Sequence, residues 1–307
     1  MIWPLTLCFA AALAANPLPP GDHERHLSVD DRVRTYFVHV PPQLDLSRPI
    51  PVVLVFHGAG MNGRMMAHFT GLNDKADAAG FVAVYPNGTG VGELLLVFNA
   101  AGTREKPFGS RADDVKFVGS LLDDLAAVLP VDPDRVFATG FSNGGMLCYR
   151  LAAELPERIA AIAPVAGTQA IRELVPREPV PILHLHGTQD LIVPWDGPKP
   201  GGRRSFPFLS LDDTLAIWRP VNRCVSEAVQ TDVPDAVADE TRVTRRQYLP
   251  EPGGAPIDVY VIEGGGHNWP GSTRAEFAFL GKSTGDIAAN DLIWDFFVQH
   301  PRSARAR

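Results

Sequence analysis

The sequence predicts an α/β fold in which a mainly parallel sheet is covered by helices on both faces, in a single domain. Two observations carry this prediction. Short apolar runs bounded by turn residues alternate with segments of helical periodicity, as in sheets whose strands are joined by helices. In addition, 307 residues with a 45% share of hydrophobic residues suffice for one large core.

Apolar runs of strand length recur along the chain, and helical patterns separate or follow them. The predicted strands cover residues 33–40, 52–56, 81–85, 135–139, 159–165, 182–186 and 259–263. The predicted helices cover residues 113–129, 210–219 and about 286–298. The second helix opens with Ser210 and carries Asp213 three residues later, a start that resembles a capping box.

The two ends of the chain differ from its middle. Residues 1–15 are apolar, uncharged and too short to span a bilayer, and they contain the small-residue pattern Ala12-Leu13-Ala14. They predict a secretory signal peptide and hence an extracellular or periplasmic protein, with a buried N-terminal helix as the alternative. Residues 25–298 are the predicted catalytic domain, and the basic residues 299–307 are predicted to be a disordered tail.

Charge and cysteine content exclude several classes of partner. A formal net charge of -7 argues against a nucleic-acid partner. Outside the N-terminal segment no stretch is long and apolar enough to predict a membrane span. Only Cys148 and Cys224 follow the predicted signal, too few for a disulfide scaffold, and Cys148 is predicted to be buried. The sequence leaves the pairing of these cysteines and the oligomeric state open.

A pentapeptide of the pattern Gly-x-Ser-x-Gly spans residues 140–144. A predicted strand precedes it and a predicted helix follows it, which is the context of a nucleophile elbow. Such a turn exposes a serine hydroxyl at the carboxyl end of a parallel sheet, where the flanking glycines leave room for it. We therefore expect Ser142 to be a catalytic nucleophile, and a plain helix N-cap is the alternative.

A serine hydroxyl needs a base, and the base needs an orienting carboxylate. In α/β-hydrolases these partners follow the nucleophile in the order Asp, His. Asp190 follows the predicted strand 182–186, and His267 lies on a glycine-rich turn after the strand 259–263. Asp190 is therefore the predicted acid and His267 the predicted base. Asp196, Asp212 and Asp213 remain alternative acids, and a structural histidine or a turn aspartate remains possible.

Two backbone N–H groups are predicted to form an oxyanion hole. The strand 52–56 runs into His57-Gly58-Ala59-Gly60, so the N–H of Ala59 is placed to face a substrate carbonyl oxygen. Asn143 directly follows the nucleophile and supplies the second N–H. His57, Trp195 and Trp269 are predicted to contact substrate, although core packing is an equal alternative for the two tryptophans.

Several further segments extend this pattern over residues 25–298. They are His57-Gly58, Tyr85-Pro86-Asn87-Gly88, Phe98-Asn99-Ala100, Asp113-Asp114-Val115, Ala163-Pro164-Val165-Ala166-Gly167, His186-Gly187-Thr188-Gln189-Asp190 and Gly265-Gly266-His267-Asn268-Trp269-Pro270-Gly271. With these segments the chain resembles the polyhydroxybutyrate depolymerase and feruloyl esterase group of secreted α/β-hydrolases. The resemblance implies a carboxylesterase with nucleophile Ser142, acid Asp190 and base His267. Depolymerases of that group usually add a polymer-binding domain, and since the chain shows none, soluble esters are the expected substrates.

Alternative functions stay open at this point. A serine peptidase or acyl-aminoacyl hydrolase shares the elbow and the residue order, and a non-catalytic binding protein could use the same scaffold. His184 and His186 share one strand face and could suggest a metal pair. No matching motif supplies a third ligand, so neither a metal nor another cofactor is expected.

Overall fold

The structure is a computed structural model that describes residues 17–92, 95–101, 112–198, 208–272 and 278–305. Its strands are β1 (Gly21–Val29), β2 (Arg32–Val40), β3 (Ile50–Phe56), β4 (Val82–Pro86), β5 (Thr89–Val91), β6 (Leu95–Val97), β7 (Val131–Phe141), β8 (Ile162–Val165), β9 (Ile182–Gly187), β10 (Val229–Asp232), β11 (Arg242–Tyr248) and β12 (Ile257–Glu263). Its α-helices are α1 (Gly63–Thr70), α2 (Leu72–Ala79), α3 (Asp114–Val128), α4 (Asn143–Glu154), α5 (Leu211–Val221) and α6 (Ala289–Gln299).

Ten strands of the described part form one sheet with the order β1-β2-β4-β3-β7-β8-β9-β12-β11-β10. The six strands from β4 to β12 in this order are parallel to one another. The outer strands β1, β2, β10 and β11 pair antiparallel, and β5 and β6 form a separate hairpin. This is the α/β-hydrolase fold in a single domain, as the sequence predicted.

Helices cover both faces of the sheet because its central strands bury side chains on both sides. On β3, Val52 and Leu54 join the core under α3, α4 and α5, whereas Val53 and Val55 join the core under α1, α2 and α6. All residues of β3 are buried, which explains why the sequence shows an unbroken apolar run there.

The predicted helices and strands are all present, with boundaries shifted by a few residues. The Ser210 side chain caps α5 by accepting the N–H of Asp213, as its sequence suggested. The last helix starts at Ala289, later than the sequence predicts, because the Asp286 carboxylate accepts the N–H groups of Ala236 and Val237 instead of entering the helix. Cys148 and Cys224 are both buried and free.

The C-terminal segment corrects the prediction of a disordered tail from residue 299. Helix α6 extends to Gln299, and Arg302 donates hydrogen bonds to the Glu157 carbonyl and the Asp134 carboxylate. Arg305 donates to the carbonyls of Ile159 and Ala160. These bonds hold the segment on the domain up to residue 305. Residues 306–307 and the predicted signal peptide lie outside the described residues.

The parallel strands all end at one edge of the sheet, where the predicted site residues follow them. Ala59 comes after β3 and Ser142 directly after β7, whereas Asp190 follows β9 and His267 follows β12. Ligands of open α/β sheets bind outside this edge. No helix among the described residues is long and apolar enough to cross a membrane.

Candidate active site

Ser142 occupies a strained turn between β7 and α4. Its φ of 55° and ψ of -117° lie in a region that non-glycine residues rarely adopt. The glycines around it make the turn possible, because a Cβ on Gly144 would lie 2.2 Å from the Phe56 carbonyl oxygen and one on Gly140 would lie 2.6 Å from the Gly144 carbonyl carbon. The backbone N–H of Ser142 donates to the Val165 carbonyl oxygen at 2.9 Å. The sequence therefore adopts the elbow geometry that it predicts.

Asp190 and His267 form a buried hydrogen-bonded pair. The Nδ1 atom of His267 lies 2.6 Å from Oδ2 of Asp190, and the two side chains are 3% and 0% exposed. The other carboxylate oxygen, Oδ1, accepts the backbone N–H groups of Ile192 and Val193, each at 2.8 Å. Several donors thus surround the Asp190 carboxylate, and its bond to Nδ1 orients the His267 ring in the way that a catalytic base requires.

The alternative acids do not reach His267. Asp213 pairs with Arg172 at 2.7 Å in the first turn of α5, where Asp212 is also located, and Asp196 is exposed. Of the four candidate carboxylates, Asp190 alone is bonded to His267 within the described residues. Asp190 therefore stays the predicted acid.

The glycine-rich turn before His267 lets two loops pack backbone to backbone. A Cβ on Gly187 would lie 2.3 Å from the Gly265 carbonyl oxygen, and one on Gly266 would lie 2.2 Å from the Leu280 carbonyl oxygen. The backbone N–H of Gln189 donates to the Gly265 carbonyl at 2.8 Å. The turn that carries Asp190 is therefore fastened directly to the turn that carries His267.

The ring of Phe141, the residue before Ser142, packs against the ring of His267 at a centroid distance of 4.6 Å. Within the described residues, no hydrogen bond joins the Ser142 hydroxyl to His267. Catalytic hydrogen bonds are often long in free enzymes and tighten when substrate binds. Ser142, Asp190 and His267 therefore lie at one edge in an order and a packing that suit a triad.

A short segment that contains β6 connects the two predicted oxyanion donors. The side chain of Asn143 bonds the Phe98 backbone on both sides, because Oδ1 accepts its N–H at 2.7 Å and Nδ2 donates to its carbonyl at 3.1 Å. In the turn of Ala59, the N–H of Gly60 donates to the Leu96 carbonyl at 2.8 Å. Asn143 begins α4, so its backbone N–H has no acceptor within the helix. The role of the two N–H groups stays a prediction, and the sequence did not indicate that the segment around β6 connects their turns.

His57 corrects one prediction, because it does not face substrate. Its ring is fully buried, Nδ1 donates to the Gly58 carbonyl at 2.8 Å, and Nε2 accepts the Gly88 N–H at 3.0 Å. The ring of Phe98 packs on it at a centroid distance of 4.5 Å. His57 therefore shapes the turn that carries Ala59. Burial lowers the pKa of His57 to about 4, against the opposing effect of the bond to Gly58.

This pKa predicts acid sensitivity of the fold. Below about pH 6.5 the unfolded chain protonates His57 but the folded protein does not, so stability falls as the pH drops toward 4. A shift from 6.5 to about 4 corresponds to a loss of about 3 kcal/mol from this group. Urea titrations at pH 7 and pH 4.5 measure the free energy of unfolding at each pH. The difference between the two pH values should shrink in His57→Asn, and an unchanged difference would contradict the assignment.

The two tryptophans have different surroundings. Trp269 is 1% exposed, lies in the core under α6 and donates its indole N–H to Asn290 at 3.0 Å. The prediction that it contacts substrate is therefore wrong. Trp195 is half-buried, packs edge-on against His186 at 5.9 Å and has the guanidinium of Arg246 over its ring. A contact between Trp195 and substrate stays a prediction.

The two histidines of the suggested metal pair, His184 and His186, form hydrogen bonds within the protein. Both ring nitrogens of His184 and of His186 lie within 3.0 Å of a partner inside the protein. Within the described ranges no group of three or more His, Cys, Asp or Glu side chains is arranged to hold a metal ion. The two histidines therefore act as hydrogen-bonding core residues.

Comparison with protein families identifies the relatives of this site. The model of the family described as "Dienelactone hydrolase family" matches residues 37–199, just over half of the chain and the part that contains Ser142 and Asp190. The chain belongs to the dienelactone hydrolase family. It is thereby a member of a family of carboxylic ester hydrolases, and the expected esterase relationship is confirmed at this level.

Individual relatives of this dienelactone hydrolase family member are esterases by name. The chain is 32% identical over 289 residues to "Putative esterase NocK" from Nocardia uniformis subsp. tsuyamanensis, covering 89% of this chain and 82% of that protein. It is 27% identical over 263 residues to "Bifunctional acetylxylan esterase/xylanase XynS20E" from Neocallimastix patriciarum. That match covers 85% of this chain and 33% of the relative, so the chain spans about a third of that protein's length.

Two further matches agree with these. The chain is 31% identical over 169 residues to "Feruloyl esterase B" from Piromyces equi, covering 52% of this chain and 30% of that protein. Among solved structures, "Acetyl xylan esterase from Aspergillus awamori" superposes with a TM-score of 0.60 at 12% identity, covering 90% of this chain and 99% of that one. At this identity the superposition establishes the α/β-hydrolase fold of this dienelactone hydrolase family member.

Proposed function

We propose that the protein is a secreted serine carboxylesterase in which Ser142 is the nucleophile, His267 the general base and Asp190 the acid that orients it. The observation that carries the proposal is the buried bond of 2.6 Å between His267 and Asp190, located at the same sheet edge as the strained turn of Ser142. The family supports ester hydrolysis, and the apolar residues 1–15 support secretion.

In the proposed reaction, Nε2 of His267 takes the proton of the Ser142 hydroxyl while the oxygen attacks the ester carbonyl carbon. The N–H groups of Ala59 and Asn143 donate to the oxyanion of the tetrahedral intermediate. His267 then gives its proton to the leaving alcohol, and the acyl group stays on Ser142. His267 then takes a proton from a water molecule whose oxygen attacks the acyl carbon, and it returns that proton to the Ser142 oxygen as the acid leaves. These steps use protein groups alone and call for no cofactor.

We propose that the leaving group binds in a polar cleft whose described lining residues follow β8 and Asp190 in the sequence. The cleft has a volume of about 430 Å³. Its lining includes Arg172, Glu173, Asp196 and the ring of Phe208. Charged side chains around an aromatic ring suit a polyhydroxylated sugar. We therefore place acetyl or feruloyl esters of plant polysaccharide first among the substrates, and short hydroxyalkanoate esters second.

Substrate preference tests this proposal. The protein is expected to hydrolyse acetylated xylan oligosaccharides and methyl ferulate with kcat/KM at least roughly 100-fold above that for a peptide p-nitroanilide. Phe208→Ala should raise KM for the acetylated oligosaccharide and leave p-nitrophenyl acetate, which is too small to fill the cleft, unaffected. Faster cleavage of the peptide substrate would favour a serine peptidase, and equal effects on both esters would remove the cleft from the account.

A further inference from the structure

Three buried polar side chains lie beneath the proposed acid and take no part in the proposed reaction. They are Tyr149 on α4 and His184 and His186 on β9, all at most 1% exposed. The Tyr149 hydroxyl lies 2.9 Å from Nδ1 of His184, and Nε2 of His184 lies 3.0 Å from Nδ1 of His186. Nε2 of His186 lies 2.8 Å from the Val193 carbonyl oxygen. The three side chains thus form one continuous chain of hydrogen bonds.

The chemistry of the groups fixes every proton in this chain. Burial raises the pKa of Tyr149 and lowers the pKa of both histidines, so all three side chains are neutral. The Val193 carbonyl can only accept, so His186 carries its proton on Nε2 and accepts at Nδ1. His184 must then donate from Nε2 and accept at Nδ1, where the Tyr149 hydroxyl donates. A single direction of donation, from Tyr149 toward Val193, satisfies all these atoms.

The hydrogen-bond chain ends at Val193, in the turn that carries Asp190. The carbonyl of Val193 accepts from His186, while its N–H donates to Oδ1 of Asp190 at 2.8 Å. Nε2 of His186 also lies 3.5 Å from Oδ2 of Asp190, the oxygen that accepts from His267. The N–H dipole of His186 therefore faces the buried carboxylate. In the opposite tautomer a nitrogen lone pair would face both this carboxylate and the Val193 carbonyl.

We propose that His186 is a positioning residue for the Asp190–His267 pair, and that Tyr149 and His184 lock it in the tautomer whose Nε2–H faces Asp190. The inference rests on the proposed function of that pair. It assigns a role to the His184-Leu185-His186 pattern on β9, whose alternation on one strand face suggested a metal pair. The hydrogen-bond chain contacts Asp190 from the core, whereas His267 contacts Asp190 from a loop.

Few titratable groups among the described residues surround His186. The side chains that face it from packed elements are His184 on its own strand, Asp190 in the following turn, His267 from the loop after β12 and, through His184, Tyr149 of α4. Arg246 of β11 lies against Trp195, whose ring packs edge-on against His186. We therefore attribute a change in the acid limb of the pH dependence of kcat/KM, in variants of Tyr149 or His186, to the Asp190–His267 pair.

Tyr149→Phe and His186→Leu test the proposal. His186→Leu removes the N–H dipole at Asp190, whereas Tyr149→Phe leaves Nδ1 of His184 without its donor and so permits the opposite tautomers of both histidines. In either variant the imidazolium form of His267 gains relative stability, and the acid limb of kcat/KM moves up by about 0.5 pH unit. We expect kcat to fall about tenfold at unchanged KM, because the base is mispositioned rather than the substrate. His186→Gln, whose amide can donate near the Nε2 position, should restore most of the rate and the wild-type pH profile.

Tyr85→Phe is the matched control, because Tyr85 is also fully buried and donates its hydroxyl to Asn73 at 2.6 Å, away from this chain. It should lower thermal stability comparably to Tyr149→Phe and leave the pH profile unchanged. Histidine side-chain ¹⁵N NMR gives a readout that does not depend on activity. The Nε2–H tautomer of His186 should be present in the wild type and lost or mixed in Tyr149→Phe.

The outcomes separate the two proposals. A wild-type protein that hydrolyses no ester defeats the proposed function, and the NMR spectra still decide whether the tautomer lock exists. An active wild type whose pH profile is preserved in folded Tyr149→Phe and His186→Leu overturns the positioning role. An Nδ1–H tautomer of His186 in the wild type overturns it as well, as does an equal shift in Tyr85→Phe.

Discussion

Replacing Ser142 by alanine is expected to lower kcat for ester hydrolysis by about 10⁶, the scale of loss seen when a triad nucleophile is removed. The residual rate would come from the N–H groups of Ala59 and Asn143 and from substrate binding. Because Ser142 is 8% exposed and its hydroxyl makes no hydrogen bond within the described residues, the variant should unfold at nearly the wild-type temperature. Single-turnover kinetics and a thermal melt measure the two effects.

Ser28→Ala, an exposed change on β1, serves as the control and should leave both quantities at their wild-type values. A Ser142→Ala variant that is folded and retains a tenth or more of the wild-type kcat would show that another group carries out the attack. A variant that fails to fold would be replaced by Ser142→Cys, which preserves the side-chain shape and should still lose most of the esterase activity.

Asp190→Asn is expected to lower kcat by about 10⁴. The introduced amide can present an N–H toward Nδ1 of His267, which favours the tautomer with its proton on Nε2. In that tautomer His267 cannot accept the proton of Ser142, although the geometry of the pair is retained. The bonds from Ile192 and Val193 to Oδ1 can persist in the variant, so the turn should stay in place.

Asp212→Asn is the control for this change, since Asp212 lies exposed in the first turn of α5 and was a candidate acid by sequence. It should keep the wild-type kcat. An Asp190→Asn variant with near-full activity, together with loss of activity in Asp196→Asn or Asp213→Asn, would show that the acid is misassigned.

The central sheet was predictable because burial on both faces leaves unbroken apolar runs, as in β3 with its sequence Ile-Pro-Val-Val-Leu-Val-Phe. The outer strands β1, β10 and β11 were missed for the opposite reason. In β1 half-buried positions alternate with exposed polar ones, and β11 carries three arginines, of which Arg245 pairs with Asp258 on β12. Their strand character depends on a neighbouring strand, which the local sequence does not show.

In the site, too, features with a local sequence signal could be predicted, and features that depend on distant residues could not. The tight turns that carry Ser142, Asp190 and His267 were predictable because they contain glycines that a close backbone approach requires, such as Gly144 against Phe56. His57 and Trp269 were misread because nothing local indicates that Gly88 or Asn290 approaches their rings. The bond from Tyr149 to His184 likewise joins α4 to β9 over 35 positions of sequence.

The central claim is that Ser142 is an activated nucleophile, and covalent labelling tests it most directly. The protein should be treated with a fluorophosphonate, and the modified peptide identified by mass spectrometry. One label per chain is expected, on Ser142, with the reaction abolished in Ser142→Ala and strongly slowed in Asp190→Asn. Stoichiometric labelling of a different residue, or no labelling of a folded protein that hydrolyses esters, would contradict the account.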